Sequence, residues 1–297
     1  MICVLTDSTC DLPKQLCEEY NIHVIPIHVH YGKREFLDGI TIGNEQFYSI
    51  LNNADGDYPY TEPPTVEEFV ATYEKLSVDY DQIISIHVSS KVSAIYENAQ
   101  KAVVRGKQKY FFNCYRTKRS FDNFAIHVID SQSVSIGNGL LVLMAAKWVK
   151  DGIEAKEIVR RLNEISSRLN VLVAPKDLTF LRRSKRVGAL KFLLGRLLGI
   201  TPVLNFQNGS MDLYDSVRGV DRAIHAMVKE TKKAMDIFSC PIIGIARSGS
   251  LKNASFKELE GELNVSKDPD GHFASQIGAT ITSHTGPEAL AVAFVGK

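Results

Sequence analysis

A chain of 297 residues with 44% hydrophobic and 23% charged residues has globular composition and enough length for two domains. Lys and Arg number 35 against 34 acidic residues, and a net charge of +1 excludes a wholesale polyanion binder. The five cysteines (Cys3, Cys10, Cys17, Cys114 and Cys240) are odd in number and lack CxxC spacing, which reads as free thiols in a reducing compartment.

Met1 leads straight into a buried strand, Ile2–Thr6, with no basic leader or long apolar core, so no signal peptide is expected. Asp7, Ser8 and Thr9 form a polar cluster at that strand's carboxyl end. Asp11 is expected to cap a short helix with Pro13 in its first turn, running to about Tyr20. His23–Val29 reads as a strand that Pro26 confines to an edge or a bulge. His28 and His30 share a strand face, but no neighbour in sequence completes a ligand set and no metal is expected. A helix follows from Asn44 to about Leu51, then a polar loop over Asn52–Tyr60. Two prolines stiffen Thr61-Glu62-Pro63-Pro64, and Thr65 with Glu68 makes a capping box for a helix over Val66–Leu76.

Ile83–Val88 is a nearly continuous apolar run, the pattern of a strand buried in a parallel sheet. It stops at Ser89-Ser90-Lys91-Val92-Ser93, and Ser93 opens a helical pattern through Tyr96, Ala99 and Val103. Hydroxyls between a strand and a helix lie where α/β folds take ligands. Plain helix capping explains the same serines equally well. Arg105 to Arg119 then holds six basic residues and no acid, interleaved with Tyr110, Phe111, Phe112 and Tyr115. Basic residues mixed with aromatics can bind nucleic acid or a membrane surface, but with no matching basic footprint elsewhere Arg105–Asn123 reads as an extended surface helix and loop at a dimer or partner contact.

Ala125–Ile129 is another strand, ending in Asp130-Ser131, followed by an apolar helix over Gly137–Val149 and an amphipathic one over Ala155–Leu169. Repeated β-α order argues a parallel sheet between helices. From Val171 the pattern changes: a strand to Ala174, the run Arg182-Arg183-Ser184-Lys185-Arg186, a helix over Leu190–Leu198 and a strand over Ile200–Phe206. Asn208-Gly209 signals a hairpin with Leu213–Val217 as its return strand, before a helix over Asp221–Met235. Pro241–Ala246, Phe256–Leu263, Gln276–Ser283 and Ala289–Val295 complete a mixed sheet with helices. No run approaches the roughly 20 apolar residues of a membrane span, so a cytoplasmic protein is expected. The expected fold is α/β in two domains. Residues 1–170 form a parallel sheet between helices, and residues 171–297 a two-layer domain with a mixed sheet.

Thr282-Ser283-His284-Thr285-Gly286-Pro287-Glu288, ahead of an apolar strand, resembles the C-terminal motif of the DegV family. Thr6-Asp7-Ser8-Thr9 with Asp11-Leu12-Pro13, Asp38-Gly39, and Ser89-Ser90-Lys91-Val92-Ser93 match the family in order. So do Val128-Ile129-Asp130-Ser131, Leu181-Arg182-Arg183 with Arg186-Val187-Gly188, and Val217-Arg218-Gly219. The resemblance covers nearly the whole chain. It implies a long acyl chain buried between two domains, in the fatty-acid-binding subunit of a bacterial fatty acid kinase. A separate ATP-binding kinase would then phosphorylate the carboxylate. By family pattern that carboxylate is held by Thr61, Ser90 and His284, with Ser89, Ser93, Thr285, Arg186 and Arg218 in support. No catalytic residue, metal or cofactor is implied beyond the bound fatty acid, no nucleic acid, and at most transient membrane contact.

The chain departs from the family pattern in places. Ser93-Ala94-Ile95-Tyr96 replaces Ser-Gly-Thr-Tyr, Glu288 replaces a glycine, and Thr61-Glu62-Pro63-Pro64 replaces Thr-Ser-Gln-Pro. An inward Glu62 would repel a carboxylate, so it is expected to face out. Arg105–Asn123 looks like an insertion. Two other functions stay open: a subunit like those of dihydroxyacetone kinase, where a histidine engages a small ketone, and a lipid-independent interaction protein using Arg105–Asn123.

Overall fold

The computed structural model describes residues 1–52, 58–176, 178–184, 200–235, 242–250, 252–265 and 272–296. Arg186, Cys240 and the expected helix over Leu190–Leu198 lie outside them. The first half runs β1 (Ile2–Asp7), α1 (Lys14–Glu19), β2 (Ile22–Ile25), β3 (His28–Tyr31), β4 (Arg34–Leu37), α2 (Asn44–Asn52), β5 (Tyr60–Glu62) and α3 (Val66–Leu76). It continues through β6 (Gln82–His87), α4 (Ile95–Arg105), α5 (Lys107–Arg116), β7 (Ala125–Asp130), α6 (Ile136–Lys150) and α7 (Ala155–Ser166). Strands β2-β1-β6-β7 form a parallel sheet in that order. Pro26, which has no N–H to give a ladder, divides the expected single strand His23–Val29. Before it, β2 closes one edge of the parallel sheet. After it, β3 starts a separate antiparallel sheet, β4-β3-β5.

Local signals hold at α3, where Thr65 and Glu68 make both bonds of the capping box. They fail at α1 and α4. Pro13, not Asp11, precedes α1, without a side-chain cap. Asp11 is left-handed (φ 50°) and turned to another task. Helix α4 begins after Ala94, also without a side-chain cap, so Ser93 does not open it.

The second half runs β8 (Leu169–Ala174), α8 (Leu178–Arg183), β9 (Thr201–Gln207), β10 (Ser210–Val217), α9 (Val220–Met235) and β11 (Gly244–Arg247). It ends with α10 (Ala254–Glu262), β12 (Phe273–Gln276), α11 (Ala279–Thr285) and β13 (Leu290–Val295). The stretch Gln276–Ser283 is thus divided between a strand end and a helix. The sheet is mixed, in order β10-β9-β8-β13-β11-β12, and β13 lies inside it, antiparallel to both neighbours. The Asn208-Gly209 hairpin forms as expected, with both residues left-handed (φ 51° and 74°) as a two-residue turn of this kind requires.

Helix α6 is apolar all round because it lies between the sheets; Ile136 through Leu143 are all buried. One cluster runs from Val4 and Ile84 on the parallel sheet, through Leu140 and Leu141, to Val171 and Ala291 on the mixed sheet. Gly139 lets α6 approach the chain after β1: a Cβ there would lie 2.3 Å from the Cys10 carbonyl oxygen. Gly139→Ala is therefore expected to lower stability by about 1–3 kcal/mol, as overpacking does, read by urea unfolding.

Candidate functional site

The site begins with how β5 and α11 are held. Strand β5 pairs with β3, setting Thr61 opposite the fully buried Val29. Helix α11 comes from the other half of the chain, yet its start is bound by carboxylates of the first half. Gly278 N–H donates to Asp11 at 2.7 Å; the Thr280 N–H and O–H donate to Asp38 at 3.2 and 2.5 Å. Ser8 Oγ donates to Asp38 at 3.0 Å and Ser135 Oγ to Asp11. Burial pushes both the Asp11 and Asp38 carboxyls up from the ordinary carboxylate range, against the hydrogen bonds they accept.

Thus fixed, α11 brings His284 in its last turn to Thr61, with Nε2 and Oγ1 2.9 Å apart. If Nε2 carries the hydrogen, it donates to Thr61 Oγ1. The pair lies on the wall of a cleft of about 670 Å³, part of it open to solvent. The first half supplies Ile27, Val88, Val92, Ile95 and Val134 to the wall; the second supplies Leu181, Phe206, Met211 and Ile281. Ser184, Thr61 and His284 also line a second pocket on whose wall Arg183 lies over the Tyr58 ring at 3.8 Å. The Thr61–His284 pair is therefore shared between a greasy cleft and a pocket with a cation.

The other expected site residues divide. Ser93 and Thr285 line the cleft. Ser89 and Ser90 do not: Ser90 Oγ donates to Asp130 at 2.5 Å, and the Ser89 hydroxyl accepts from Lys91 N–H at 3.3 Å. The adjoining Lys91 Nζ donates to the Asn208 carbonyl at 2.7 Å, so this loop grips the hairpin of the second half. Arg218 is exposed after β10 and lines none of these cavities. The side chain of Glu62 is 62% exposed and pairs with His30 at 3.1 Å, and Glu62 also contributes to the cleft wall beside Thr61. Folding also brings Glu35 and Glu68 to His28, at 2.7 and 2.9 Å, carboxylates not evident from their sequence positions.

The sequence reading missed the chain Asp7, His87, Ser85 and Tyr73. Asp7 lies 2.9 Å from His87 Nδ1, His87 Nε2 lies 2.7 Å from Ser85 Oγ, and Tyr73 donates to Ser85 at 2.9 Å. The alternation of Ser85 and His87 on β6 puts them on one face, which was the available signal. Acid, imidazole and hydroxyl in this order suggest a nucleophile. Ser85, His87 and Asp7 are nevertheless fully buried, and Ser85 lines no cavity described here. The chain joins β1 and β6.

Comparison with known proteins identifies the family. Residues 1–297 match the family model described as "Uncharacterised protein, DegV family". The chain belongs to the DegV family. A DegV domain-containing protein of Caldanaerobacter subterraneus subsp. tengcongensis is 29% identical over 296 residues, covering 100% of this chain and 99% of its own. Among solved structures, a DegV family protein from Thermus thermophilus, described for its fatty acid binding, superposes with a TM-score of 0.85 at 25% identity, over 100% of this chain and 99% of that one. DegV of Bacillus subtilis, described as a fatty acid binding protein, does so with a TM-score of 0.81 at 26% identity and the same coverage. The α/β fold with one parallel and one mixed sheet is that of the DegV proteins. Among the described residues no helix is long and apolar enough to cross a membrane.

Proposed function

We propose that this DegV protein binds one long-chain fatty acid in the cleft, with its carboxylate at Thr61 and His284, and presents that carboxylate to a separate ATP-dependent kinase. The observation that carries the reading is the 2.9 Å Thr61–His284 pair on the wall of an apolar cleft built from both halves. The Thermus and Bacillus relatives, described as fatty acid binding, support it. A carboxylate taken out of water needs donors, and the Thr61 hydroxyl, held by the His284 imidazole, supplies one. The tail supplies affinity: each buried methylene is worth about 0.8 kcal/mol, roughly 11 kcal/mol gross for a sixteen-carbon chain before ordering costs. Ser93 and Thr285 add hydroxyls to the wall.

In the reaction the carboxylate oxygen attacks the γ-phosphorus of ATP, ADP leaves, and an acyl phosphate forms. This chain's part is to hold the nucleophile. The pocket with Arg183 and Tyr58, which shares Thr61 and His284, offers the donor a way in. Denaturing extraction and mass spectrometry of the purified protein are expected to release a fatty acid in a one-to-one ratio. Delipidated protein that takes up no long-chain fatty acid would overturn the reading. Hydroxylamine trapping is expected to show acyl phosphate only when ATP and a kinase are both added.

A further inference from the structure

Helix α5 shows an outer face that nothing in the fatty-acid reading uses. Its inner face, Tyr110, Asn113 and Cys114, is buried against the protein, and Tyr110 donates to the Ala102 carbonyl at 2.9 Å. On the outer face Phe111, Phe112 and Tyr115 are 53, 61 and 74% exposed, and Val104 at the end of α4 is 78% exposed. Phe111, Phe112 and Tyr115 share one side of α5, and exposed Val104 lies at the end of α4, across Gly106 from them. Basic residues flank this face on both sides. Arg105 and Lys109 are tied to Glu67 and Glu74 of α3 at 2.8 and 2.7 Å. Exposed Lys107, Arg116 and Lys118 show no ion pair among the described residues.

We propose that this face of α5 docks on the surface of an anionic lipid bilayer, with the aromatic stripe at the level of the headgroups and Lys107, Arg116 and Lys118 on lipid phosphates. A helix with a large apolar stripe and a cationic rim is built for that interface. A second copy of the chain fits less well, since pairing the face with itself sets like charges against each other. Nucleic acid would engage the rim but leave Val104 and the ring edges unused. The proposal stands on this surface alone, so it holds or fails independently of the fatty-acid reading.

The test is flotation of the full chain, loaded and delipidated, with vesicles of phosphatidylcholine alone and with phosphatidylglycerol added. Binding is expected only with phosphatidylglycerol, and it should weaken as salt is raised. Phe112→Ser with Tyr115→Ser, and separately Lys107→Glu with Arg116→Glu and Lys118→Glu, should each cut binding tenfold or more. Circular dichroism and Tm should stay unchanged, since these side chains are exposed. In Tyr115→Trp, phosphatidylglycerol vesicles should shift tryptophan emission to the blue. Wild-type protein that stays off the vesicles at low salt overturns the proposal. So do variants that bind undiminished, a dimer that the substitutions dissolve, and single-stranded RNA binding in place of vesicle binding.

Discussion

Thr61→Val combined with His284→Ala is expected to weaken fatty-acid binding by two orders of magnitude or more while leaving Tm nearly unchanged. A hydrogen bond to a charged group is worth about 1.5–3 kcal/mol, so each single change should cost roughly tenfold to a hundredfold. Both side chains lie on the cleft wall, where losing them opens space rather than forcing a clash. The control is Ser90→Ala. Its hydroxyl is given to Asp130 and lines no cleft, so affinity should stay within about twofold on a surface interaction of this size. Isothermal titration of delipidated protein with a long-chain fatty acid measures all four forms. A double variant that binds like wild type, or a Ser90→Ala that loses as much as His284→Ala, would move the headgroup elsewhere.

Removing Asp38 is expected to damage both stability and site. Asp38→Ala strands the Thr280 N–H and O–H and the Ser8 O–H, all bonded to one carboxylate oxygen. Each buried donor left unsatisfied costs about 1–3 kcal/mol, so a loss of at least 3 kcal/mol is expected in urea unfolding. His284 sits on the same short helix, so fatty-acid affinity should fall with it. The pH dependence has a definite sign. Burial raises Asp38 and Asp11 above their unfolded range, so the folded chain binds more protons than the unfolded one. The stability they confer is full below the unfolded carboxyl pKa of about 3.9 and is lost as pH rises through their raised folded values. Asp11→Asn with Asp38→Asn should flatten that slope. An unfolding free energy with the same pH slope in wild type and double amide variant would reject it.

How far the sequence could be read follows from the range of each interaction. The capping box at Thr65 and Glu68 and the turn at Asn208 and Gly209 were legible because each is complete within a few residues. The parallel strands were legible because a twice-buried strand is mostly apolar, as Ile83, Ile84 and Ile86 make β6. Asp11 was misread as a cap because an acid two residues before a proline looks the same whether it caps a helix or not. Its partner Gly278 is 267 residues away. Ser90 was assigned to the headgroup by family pattern, while Asp130, which takes its hydroxyl, belongs to the neighbouring strand β7. Thr61 and His284 were named on resemblance alone; their meeting depends on a strand pairing and a helix anchor that no local signal contains. The exposed stripe on α5 was visible as composition, but only the helix showed which side of it faces water.

The place of β13 has a consequence for biogenesis. This strand is the last made of the described strands, yet it is wedged between β8 and β11, hydrogen-bonded on both flanks. Until it emerges from the ribosome, β8 and β11 have no common neighbour and the gap between them is open. His284 is made a few residues earlier, on the segment that leads into that gap. Under the proposed function, competence to load would arrive together with closure of the sheet.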